Sequence, residues 1–394
     1  MNEEALCRFV QPQETAQVAA LWRQCFDDTP QFVQWYFERY YQAQNTLGVF
    51  QKDGLQASAQ MIPYTMKLRG ASLPCAYIVG VDTTPAARNK GYARRLLKAC
   101  LEEQRRRRQP VSLLMPFEGQ FYYRYGWPFC YFHQRLELAP QELRCAAKPW
   151  GQMKQVDLLA AQPVLARIYE QFIQPYDGAV CRTATGWQML LEDAALEHTQ
   201  CFLLEQHGQA VGYCLWTPLQ GKILIREMAW CCAEAKAGLL DFLQQTVPPE
   251  QRLWLELPDD DSLVYQLAAD KKAAVRYPFL MARIVDVAQC LEALHYPEVA
   301  VQFKLAVEDS FAPWNDGVFH VTCAGRQTAV KSLPEAAKTE ADARITIDGL
   351  SQLVMGARSA GQLERQGLLQ AKPQISAILQ QLWPEQQLYI NEYY

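Results

Sequence analysis

The residues best suited to chemistry lie between Tyr77 and Leu101, in the segment YIVGVDTTPAARNKGYARRLLKACL. The apolar run 77–81 has the length and β-branched content of a buried strand, and Pro85 would end it. The sequence Arg-Asn-Lys-Gly-Tyr-Ala at 88–93 leads into a helix, because residues 93, 96, 97, 100 and 101 share one apolar face. A strand, a basic glycine turn and a helix start present free backbone N–H groups and a favourable dipole to an anion. This segment therefore predicts a pyrophosphate-binding loop.

The spacing within this loop differs from the two common phosphate loops, since neither G-x-x-x-x-G-K-[ST] nor G-x-G-x-x-G occurs here. The string is R-x-x-G-x-A, and it follows V-x-V-D-x-x-P. It resembles the acetyl-coenzyme A loop of the GCN5-related N-acetyltransferases (GNATs), which has the form R/Q-x-x-G-x-G/A. The alternative is an ordinary strand–helix turn with a solvated basic helix face.

The GNAT resemblance implies a set of coenzyme contacts. Main-chain groups of Val81, Asp82 and Thr83 would pair with the pantetheine arm as an added strand would. The loop residues that would wrap the pyrophosphate are Asn89, Lys90, Gly91, Tyr92, Ala93 and Arg94, with Arg88 ordering the loop or adding charge. Phe117 and Glu118 match a further cofactor contact. The adenosine 3′-phosphate would lie near Lys90 or Arg94, whereas the arginines at 105–108 are interpreted as a solvated helix end, where cations complement the dipole.

Composition restricts the function classes. The chain has 394 residues, half of them apolar and a fifth charged, which is typical of a globular protein of two to four domains. The net charge of −4 argues against nucleic acid as the main partner and leaves room for a cationic substrate. No signal-peptide pattern and no membrane-length apolar run is seen. The thirteen scattered cysteines form no metal motif, so we expect a reduced, cytoplasmic, metal-free protein, with Cys231-Cys232 as two thiols.

The elements that must position the loop are also predicted. Residues 14–26 and 29–41 have the pattern of two short helices. Strands at 49–50 and 56–62 flank a turn at Lys52-Asp53-Gly54. A strand at 111–115 follows the loop helix and is expected to lie parallel to 78–81. This is the element order of an acetyltransferase fold.

Two further units are predicted. From Leu136 to about 285, a helix at 159–174, strands at 200–204, 211–217, 224–230 and 253–257 and a helix at 236–246 repeat the first unit without its R-x-x-G-x-A loop. This degenerate unit is expected to bind no coenzyme A. From 286, strands at 299–307, 318–323 and 343–347, an Asn315-Asp316-Gly317 hairpin turn and helices at 349–357 and 373–382 indicate an α+β sandwich. The string at 341–347 resembles sterol carrier protein-like domains.

The whole chain is similar to the enhanced intracellular survival (Eis) family of N-acetyltransferases. The resemblance implies an α/β (α+β) fold class with two tandem GNAT folds of mixed sheets and a sterol carrier-like domain. The expected domains are 1–135, binding acetyl-coenzyme A, 136–285, degenerate, and 286–394, whose C-terminus enters the active site. A homo-oligomer, a hexamer in the family, is also implied.

A tyrosine is the expected general acid, since its phenol stays protonated at neutral pH. The segment 118–127 is rich in aromatic residues, and the family motif E-G-x-[aromatic or aliphatic]-Y-x-R-[aromatic]-G places the acid at Tyr122. The alternative is that Tyr122 is a packed ring. For Tyr123 and Tyr125, packing is the favoured interpretation.

The base is expected at the end of the chain. In the Eis family the α-carboxylate of the last residue enters the first domain's active site, which assigns the role to Tyr394, with Glu392 as the competing carboxylate. The aromatic end favours docking, and a C-terminus packed only for stability is the alternative. His133, the lone histidine of the first domain, is not favoured.

The substrate surface is expected on the first helical hairpin, where Phe26, Asp27, Asp28 and Trp35 combine acids and aromatic rings. Carboxylates attract polyamines and aromatic faces add cation–π contacts, although Asp28 could equally be a helix cap. The predicted activity is acetyl transfer to an amine of a cationic substrate, with aminoglycosides as one candidate. The alternatives are a protein-lysine acetyltransferase, or a lipid- or ligand-binding protein with inactive GNAT scaffolds.

Overall fold

A computed structural model describes residues 5–143, 150–268 and 275–393. The helices are α1 (Thr15–Cys25), α2 (Pro30–Arg39), α3 (Tyr92–Arg106), α4 (Gly119–Tyr123), α5 (Gln162–Phe172), α6 (Ala184–Leu196), α7 (Ala233–Thr246), α8 (Leu263–Ala268), α9 (Val287–Ala293), α10 (Ile347–Met355), α11 (Ala360–Arg365) and α12 (Pro373–Leu382). The strands are β1 (Leu6–Phe9), β2 (Thr46–Gln51), β3 (Gly54–Leu68), β4 (Ala71–Thr83), β5 (Val111–Leu114), β6 (Phe129–Leu138), β7 (Gln152–Val156), β8 (Gln200–Gln206), β9 (Gln209–Leu219), β10 (Lys222–Trp230), β11 (Arg252–Pro258), β12 (Val275–Ile284), β13 (Val299–Glu308), β14 (Gly317–Gly325), β15 (Gln327–Leu333), β16 (Ala343–Thr346) and β17 (Leu369–Ala371).

The chain divides into two compact units. The first comprises the described residues of Met1–Tyr131, Leu280–Gln386 and Glu392–Tyr394, and the second those of Phe132–Phe279 and Gln387–Asn391. The chain thus changes unit at Tyr131 and Phe279, a few residues before the domain boundaries expected at 135 and 285. The three-domain division itself stays a prediction.

The main sheet of the first unit has the order β1-β2-β3-β4-β5, with residues 281–284 of β12 beyond β5. Neighbouring strands are antiparallel except β4 and β5, which are parallel and are connected through α3. The apolar face predicted for α3 is confirmed at Leu96, Leu97, Cys100 and Leu101, all fully buried in the core of this unit. The parallel pair therefore has its crossover helix packed in the core, as such connections require.

The expected parallel orientation of β5 relative to β4 is confirmed. The register, which the sequence did not give, runs from the pair Cys75–Val111 to the pair Ile78–Leu114. The last five residues of β4, 79–83, therefore extend beyond the end of the paired region. A hydrophobic run shows that a strand exists but carries no signal for where it pairs along a longer neighbour.

A second sheet in the first unit has the order β15-β14-β13-β16-β17, with β13 and β16 parallel. The prediction of a tight hairpin turn at Asn315-Asp316-Gly317 is wrong. Val307 pairs with Gly317, so the connection is a longer loop. The Asn315 side chain is buried there, accepting from the N–H of Val287 and donating to the oxygens of Val285 and Asp309. Its amide organises the loop instead of forming a two-residue turn.

The sheet of the second unit has the order β6-β11-β10-β9-β8-β7. Again one pair, β10 and β11, is parallel and the others are antiparallel. Helix α7 connects the parallel strands, as α3 does in the first unit. The expected repeat of the first unit is therefore confirmed, although the sequence prediction did not include α6, β6 or β7.

Three general features concern the described ranges alone. None of the helices in this part of the chain combines the length and hydropathy that a bilayer crossing requires. The same residues hold no group of three or more His, Cys, Asp or Glu side chains placed to bind a metal ion. The twelve cysteines among them, including Cys231 and Cys232, are free thiols.

Candidate active site

The candidate site is built on the free end of β4. Opposite Ala59 of β3, strand β4 carries two residues, Gly80 and Val81, because Ser58 pairs with Asp82 while Gln60 pairs with Val79. This extra residue is a β-bulge, which bends the strand and re-aims its backbone. Gly80 has φ +56°, a left-handed conformation that glycine adopts without a steric penalty. The bulge begins two residues after the last β4–β5 pair, Ile78–Leu114.

Trp22 of α1 fixes the bulge from one side. A Cβ at Gly80 would lie 2.5 Å from Trp22 Cζ3, so the indole ring packs directly on the glycine. The indole N–H of Trp22 donates to Asp28 Oδ2 at 2.8 Å. One aromatic ring therefore connects the β4 backbone with an acidic residue of the expected substrate surface.

Asp82 fixes the bulge from within the sheet. Its Oδ1 accepts hydrogen bonds from the backbone N–H and the hydroxyl of Ser58, at 2.8 and 2.7 Å. The side chain is only 3% exposed, and burial raises the pKa of the Asp82 carboxyl to about 7, although the Ser58 hydrogen bonds oppose this. The sequence prediction assigned only main-chain roles to Asp82 and did not include Ser58, since the pairing of the two depends on strand register.

The basic loop connects β4 to α3 and is exposed from Arg88 to Gly91. Asn89 and Gly91 have φ of +63° and +79°, and Gly91 is the N-cap of α3 without a side-chain cap. A Cβ at Gly91 would meet nothing within 4 Å. Since the first N–H groups of a helix have no helical acceptor, those of Tyr92, Ala93 and Arg94 lie at an open, positively charged helix start. The residues predicted to hold a pyrophosphate therefore lie together in this exposed loop and at the start of α3.

Tyr122 lies on the short helix α4, which directly follows Phe117 and Glu118, two residues expected to contact the coenzyme. It is buried, and its ring packs edge-on against Phe117 and Phe121 with centroid distances of 5.8 and 5.0 Å. Burial raises the pKa of Tyr122 above its ordinary value, so the phenol keeps its proton at neutral pH. Phe117 is 74% exposed, and Glu118 is the N-cap of α4.

The two competing tyrosines have other contacts. The ring of Tyr125 packs on Phe311 at 4.7 Å within the core of the first unit. The hydroxyl of Tyr123 accepts from the backbone N–H of Phe129 at 3.4 Å. These contacts support the packing interpretation for both, while Tyr122 as the acid stays a prediction.

The expected substrate residues lie where α1 ends. The thiol of Cys25, the last residue of α1, donates to Thr83 O at the end of β4, and Phe26 and Asp27 follow directly. Asp27 is exposed. The helix-cap alternative for Asp28 is wrong, because Thr29 caps α2 by accepting from the N–H of Phe32. Trp35 lies on α2 and packs against Phe32 and Tyr40.

The end of the chain reaches β4. Glu392 is buried, and its carbonyl accepts a hydrogen bond from the Tyr77 hydroxyl at 3.2 Å. Tyr77 is fully buried and pairs with Leu113 of β5, near the point where the two strands separate. Tyr394, the predicted base, lies outside the described residues. Tyr77 was not among the predicted site residues, since a buried strand tyrosine gives no separate sequence signal.

His133 belongs to the second unit and has structural contacts. It is buried, stacks on Phe279 at 4.0 Å and hydrogen-bonds Ile390 O through Nε2 at 2.7 Å. Desolvation lowers the pKa of His133 to about 4. The neutral ring therefore serves as a packed hydrogen-bond donor to the chain's tail.

The second unit differs from the first where the loop would be. Strand β10 ends at Trp230 and α7 begins at Ala233, so two cysteines stand in place of the eight residues between Thr83 and Tyr92. Cys232, the N-cap of α7, has an extended φ of −156°. This connection lacks the arginine and the glycine of the first unit. That the second unit binds no coenzyme stays a prediction.

Family models match three parts of the chain. A model described as an acetyltransferase (GNAT) domain matches residues 7–130, and a second model with that description matches residues 178–284. A model of the sterol carrier protein domain matches residues 287–391.

Individual proteins are similar over most of the chain. A protein of Streptomyces avermitilis, named an uncharacterized N-acetyltransferase, is 24% identical over 303 residues, 71% of this chain and 73% of the relative. A GCN5-related N-acetyltransferase from Anabaena variabilis has a TM-score of 0.87 at 20% identity, covering 99% of this chain and 100% of that one. Eis1 from Mycobacterium abscessus has a TM-score of 0.79 at 18% identity, with the same coverage.

The fold, the strand separation and these matches define the class: the chain is an N-acetyltransferase of the GNAT type. Two GNAT domains followed by a sterol carrier protein domain make it, more narrowly, a tandem GNAT protein. Its fold is similar to that of Eis1. The resemblance and the mixed α/β fold class expected from the sequence are thereby confirmed.

Proposed function

We propose that the first unit transfers an acetyl group from acetyl-coenzyme A to a primary amine of a cationic small molecule. The observation that carries the proposal is the free end of β4, which runs five residues past its last pair with β5 and is connected by residues 84–90 to an open helix start at Gly91. A free strand edge beside a helix N-terminus suits a ligand with an amide-bearing arm and a pyrophosphate.

The residues present fit this coenzyme. The β-bulge at Gly80 re-aims the backbone of Val81–Thr83, which would pair with the pantetheine amides. The space in front of Gly91 is free of other atoms within 4 Å of an added Cβ, so phosphate oxygens can approach the backbone there. Arg88, Lys90 and Arg94 add positive charge around it.

Bound acetyl-coenzyme A would supply the thioester whose acetyl group is transferred. Tyr122 would donate the proton that the leaving thiolate needs, and its raised pKa keeps that proton available at neutral pH. The α-carboxylate of Tyr394 would hold the substrate ammonium and accept its proton directly or through water. The hydrogen bond from Tyr77 to the carbonyl of Glu392 supports this role, because Glu392 precedes Tyr394 by two residues and Tyr77 lies one pair before the last β4–β5 pair.

The acidic hairpin supports a cationic substrate. Asp27 is exposed beside the end of β4, and Asp28 is fixed by the Trp22 indole. Carboxylates next to aromatic rings attract ammonium groups through charge and cation–π contacts. Aminoglycosides, which carry several amines on one small scaffold, are the proposed substrate class. We also propose a cytoplasmic location, since free thiols are typical of reducing compartments.

The proposal is tested by thiol release. Purified protein with acetyl-coenzyme A should release free coenzyme A when kanamycin is added, and mass spectrometry should find acetylated kanamycin. Spermine and a lysine-containing peptide are assayed in parallel. Acetylation of the peptide alone would favour the protein-lysine alternative, and no transfer to any of the three would contradict the proposed function.

A further inference from the structure

A buried glutamine lies opposite the point where β4 and β5 separate. Gln60 of β3 pairs with Val79, the first residue of β4 beyond its last pair with β5, Ile78–Leu114. Gln60 is 3% exposed, and its Nε2 has no hydrogen-bond partner among the described residues. Buried amide groups nearly always have a partner, and one without a partner lowers stability. An unpaired donor at this position therefore calls for a functional explanation.

The alternation of β3 places this amide on the face of the sheet away from α3. Ala59 and Met61 belong to the same core as Leu97 of α3, so Gln60, which stands between them, points to the opposite face. There the side chain of Gln60 contacts Tyr36 of α2. The amide therefore lies on the same side of the sheet as the helical hairpin that carries the expected substrate residues.

Tyr36 determines which end of the amide is free. Its hydroxyl donates to Gln60 Oε1 at 2.7 Å, and its ring is held against Phe32 and Trp22 with centroid distances of 6.0 and 5.4 Å. Burial raises the pKa of Tyr36 above its ordinary value, so the phenol keeps its proton and stays a donor. Because Oε1 accepts this bond, the end of the amide that remains is the N–H donor.

The glycine of the β-bulge leaves room for the amide over β4. A Cβ at Gly80 would lie 3.1 Å from Gln60 Nε2 and 2.5 Å from Trp22 Cζ3, so a side chain at this position would displace one of them. The donor thus reaches from β3 across to the backbone of β4. It lies at the start of the edge, residues 79–83, that is beyond the last pair with β5.

The acetyl end of the coenzyme would arrive at the same point. In the proposed function the pyrophosphate lies at Gly91, and the pantetheine arm runs back along β4 from Thr83 to Val81. The thioester is at the opposite end of this arm from the pyrophosphate. The direction of the arm therefore brings the acetyl carbonyl toward Gly80 and Val79, where the amide of Gln60 lies.

We propose that Gln60 is a catalytic residue whose Nε2 donates a hydrogen bond to the acetyl carbonyl oxygen, with Tyr36 as the positioning residue. This inference rests on the proposed function. When the neutral amine attacks the carbonyl carbon, a C–N bond forms and the π electrons of the carbonyl move to its oxygen. These electrons return as the C–S bond breaks. The sulfur leaves with the bonding pair and takes a proton, the nitrogen loses one proton to the base, and the products are the N-acetylated amine and coenzyme A.

A fixed donor at this oxygen favours the transition state, because the negative charge on the oxygen is largest there. The site is shielded from water, where a hydrogen bond to a charged atom is stronger than in bulk solvent. The bond from Tyr36 to Oε1 also restrains rotation of the amide, so little reorganisation is needed when the charge develops. The bond that Nε2 lacks in the free protein would be made to the substrate.

The test replaces Gln60 by leucine, which has a similar volume but no amide. The matched control is Gln104→Leu in the last turns of α3, at the other end of that helix from Gly91. Gln104 is fully buried, and its Nε2 and Oε1 also lack hydrogen-bond partners among the described residues. Both exchanges therefore remove an unpaired buried amide, but only one of them does so where β4 and β5 separate.

A second variant separates catalysis from folding. Gln60→Leu alone leaves the Tyr36 hydroxyl without its acceptor, which lowers stability. The double variant Gln60→Leu/Tyr36→Phe replaces both partners by apolar groups of similar shape, so its urea midpoint should be no lower than that of the wild type. Its turnover should nevertheless be as low as that of Gln60→Leu.

The first readout is spectroscopic and needs no acceptor amine. Acetyl-coenzyme A labelled isotopically at the acetyl carbonyl carbon is bound to each protein, and the carbonyl stretching frequency is measured by infrared difference spectroscopy. A hydrogen bond lowers this frequency. The wild type and Gln104→Leu should give the same low value, and Gln60→Leu a higher one. Equal frequencies in the wild type and Gln60→Leu would overturn the hydrogen bond.

The second readout is turnover with kanamycin or spermine, whichever the wild type acetylates faster. Gln60→Leu should lower kcat by about 10²-fold or more with the Kd for acetyl-coenzyme A little changed, the usual scale for one donor to a developing oxyanion. Tyr36→Phe leaves the amide free to rotate and should lower kcat by about tenfold. In the Gln60→Leu background it should add no further loss. Gln104→Leu should match the wild type.

The outcomes separate this inference from the function on which it rests. Unchanged kcat in Gln60→Leu, or an equal loss in Gln104→Leu, would overturn the catalytic role. Losses from Tyr36→Phe and Gln60→Leu that multiply would overturn the positioning role of Tyr36. A wild type that shows the low carbonyl frequency but acetylates no amine would contradict the proposed function and leave the hydrogen bond in place. A wild type that binds no acetyl-coenzyme A would overturn both.

Discussion

Trp22 and Gly80 pack so closely that no methyl group fits between them, since a Cβ at Gly80 would lie 2.5 Å from Trp22 Cζ3. Gly80 also adopts φ +56° at the bulge of β4. Both constraints require glycine. Because Trp22 also donates to Asp28, the same contact connects the strand proposed to bind coenzyme with the acidic hairpin.

Gly80→Ala should therefore disturb the coenzyme site. We expect a lower melting temperature and weaker acetyl-coenzyme A binding, because the bulge or the indole ring must move. The matched control is Gly208→Ala, where φ is +78° but an added Cβ meets nothing within 4 Å. That variant carries the backbone penalty alone, of about 1 kcal/mol. Equal effects of the two variants on Kd would contradict the role of the contact.

The local elements around this contact could be predicted from the sequence. The turn at 52–54, the apolar face of α3 and the end of β4 before Pro85 follow from periodicity and turn chemistry, which act over a few residues. The bulge and the Trp22–Gly80 contact could not be predicted, because they join elements 58 residues apart through packing. Sequence patterns over a few consecutive residues give no information about a contact between two distant elements.

Tyr122→Phe keeps the packed ring and removes the phenolic proton. We expect turnover to fall by roughly 10²-fold or more, the usual scale for a general acid, with the Kd for acetyl-coenzyme A little changed. The ring contacts with Phe117 and Phe121 should survive, so the melting temperature is the control. Turnover near that of the wild type would move the acid to another group.

The end of the chain gives a prediction about position. Tyr394→Phe should stay active, because the α-carboxylate remains. Appending a few residues or deleting Tyr394 should severely reduce turnover, since the carboxylate moves by about 3.5 Å per residue. Kd for acetyl-coenzyme A should not change. A C-terminally tagged protein with full turnover on kanamycin would refute the role and leave Glu392 or an internal base.

Asp82 should make stability depend on pH. Burial raises the pKa of the folded carboxyl to about 7 from an ordinary value of 3.8. The folded state therefore holds a proton that the unfolded state loses, and stability falls as pH rises from about 4 to about 7. The loss approaches about 1.4 kcal/mol for each unit of the shift.

Asp82→Asn removes this titration while keeping an oxygen that accepts from Ser58. The free energy of unfolding of each protein is measured by urea titration. The value for the variant minus that for the wild type should increase between pH 4 and 7 and stay constant above pH 7. A difference that does not vary over this range would show that Asp82 is already ionised in the folded protein.

The contacts of Asp82 and His133 could not be predicted from the sequence. Both are titratable residues within strands, and the sequence gives neither their burial nor their partners. Asp82 meets Ser58 through the register of two strands, and His133 meets the carbonyl of Ile390, 257 residues away. The loop at 88–94 could be predicted because its chemistry lies in consecutive residues.

The most direct test of the account is calorimetric titration of the purified chain with acetyl-coenzyme A. We predict one site per chain in the wild type and no detectable binding by Gly91→Glu, whose side chain would fill the loop and repel phosphate. Gly208→Glu is the matched control, since Gly208 has φ +78° against +79° at Gly91 and open space at both positions. It should bind as the wild type does. Two sites per chain, or binding retained by Gly91→Glu, would contradict a single coenzyme site at the start of α3.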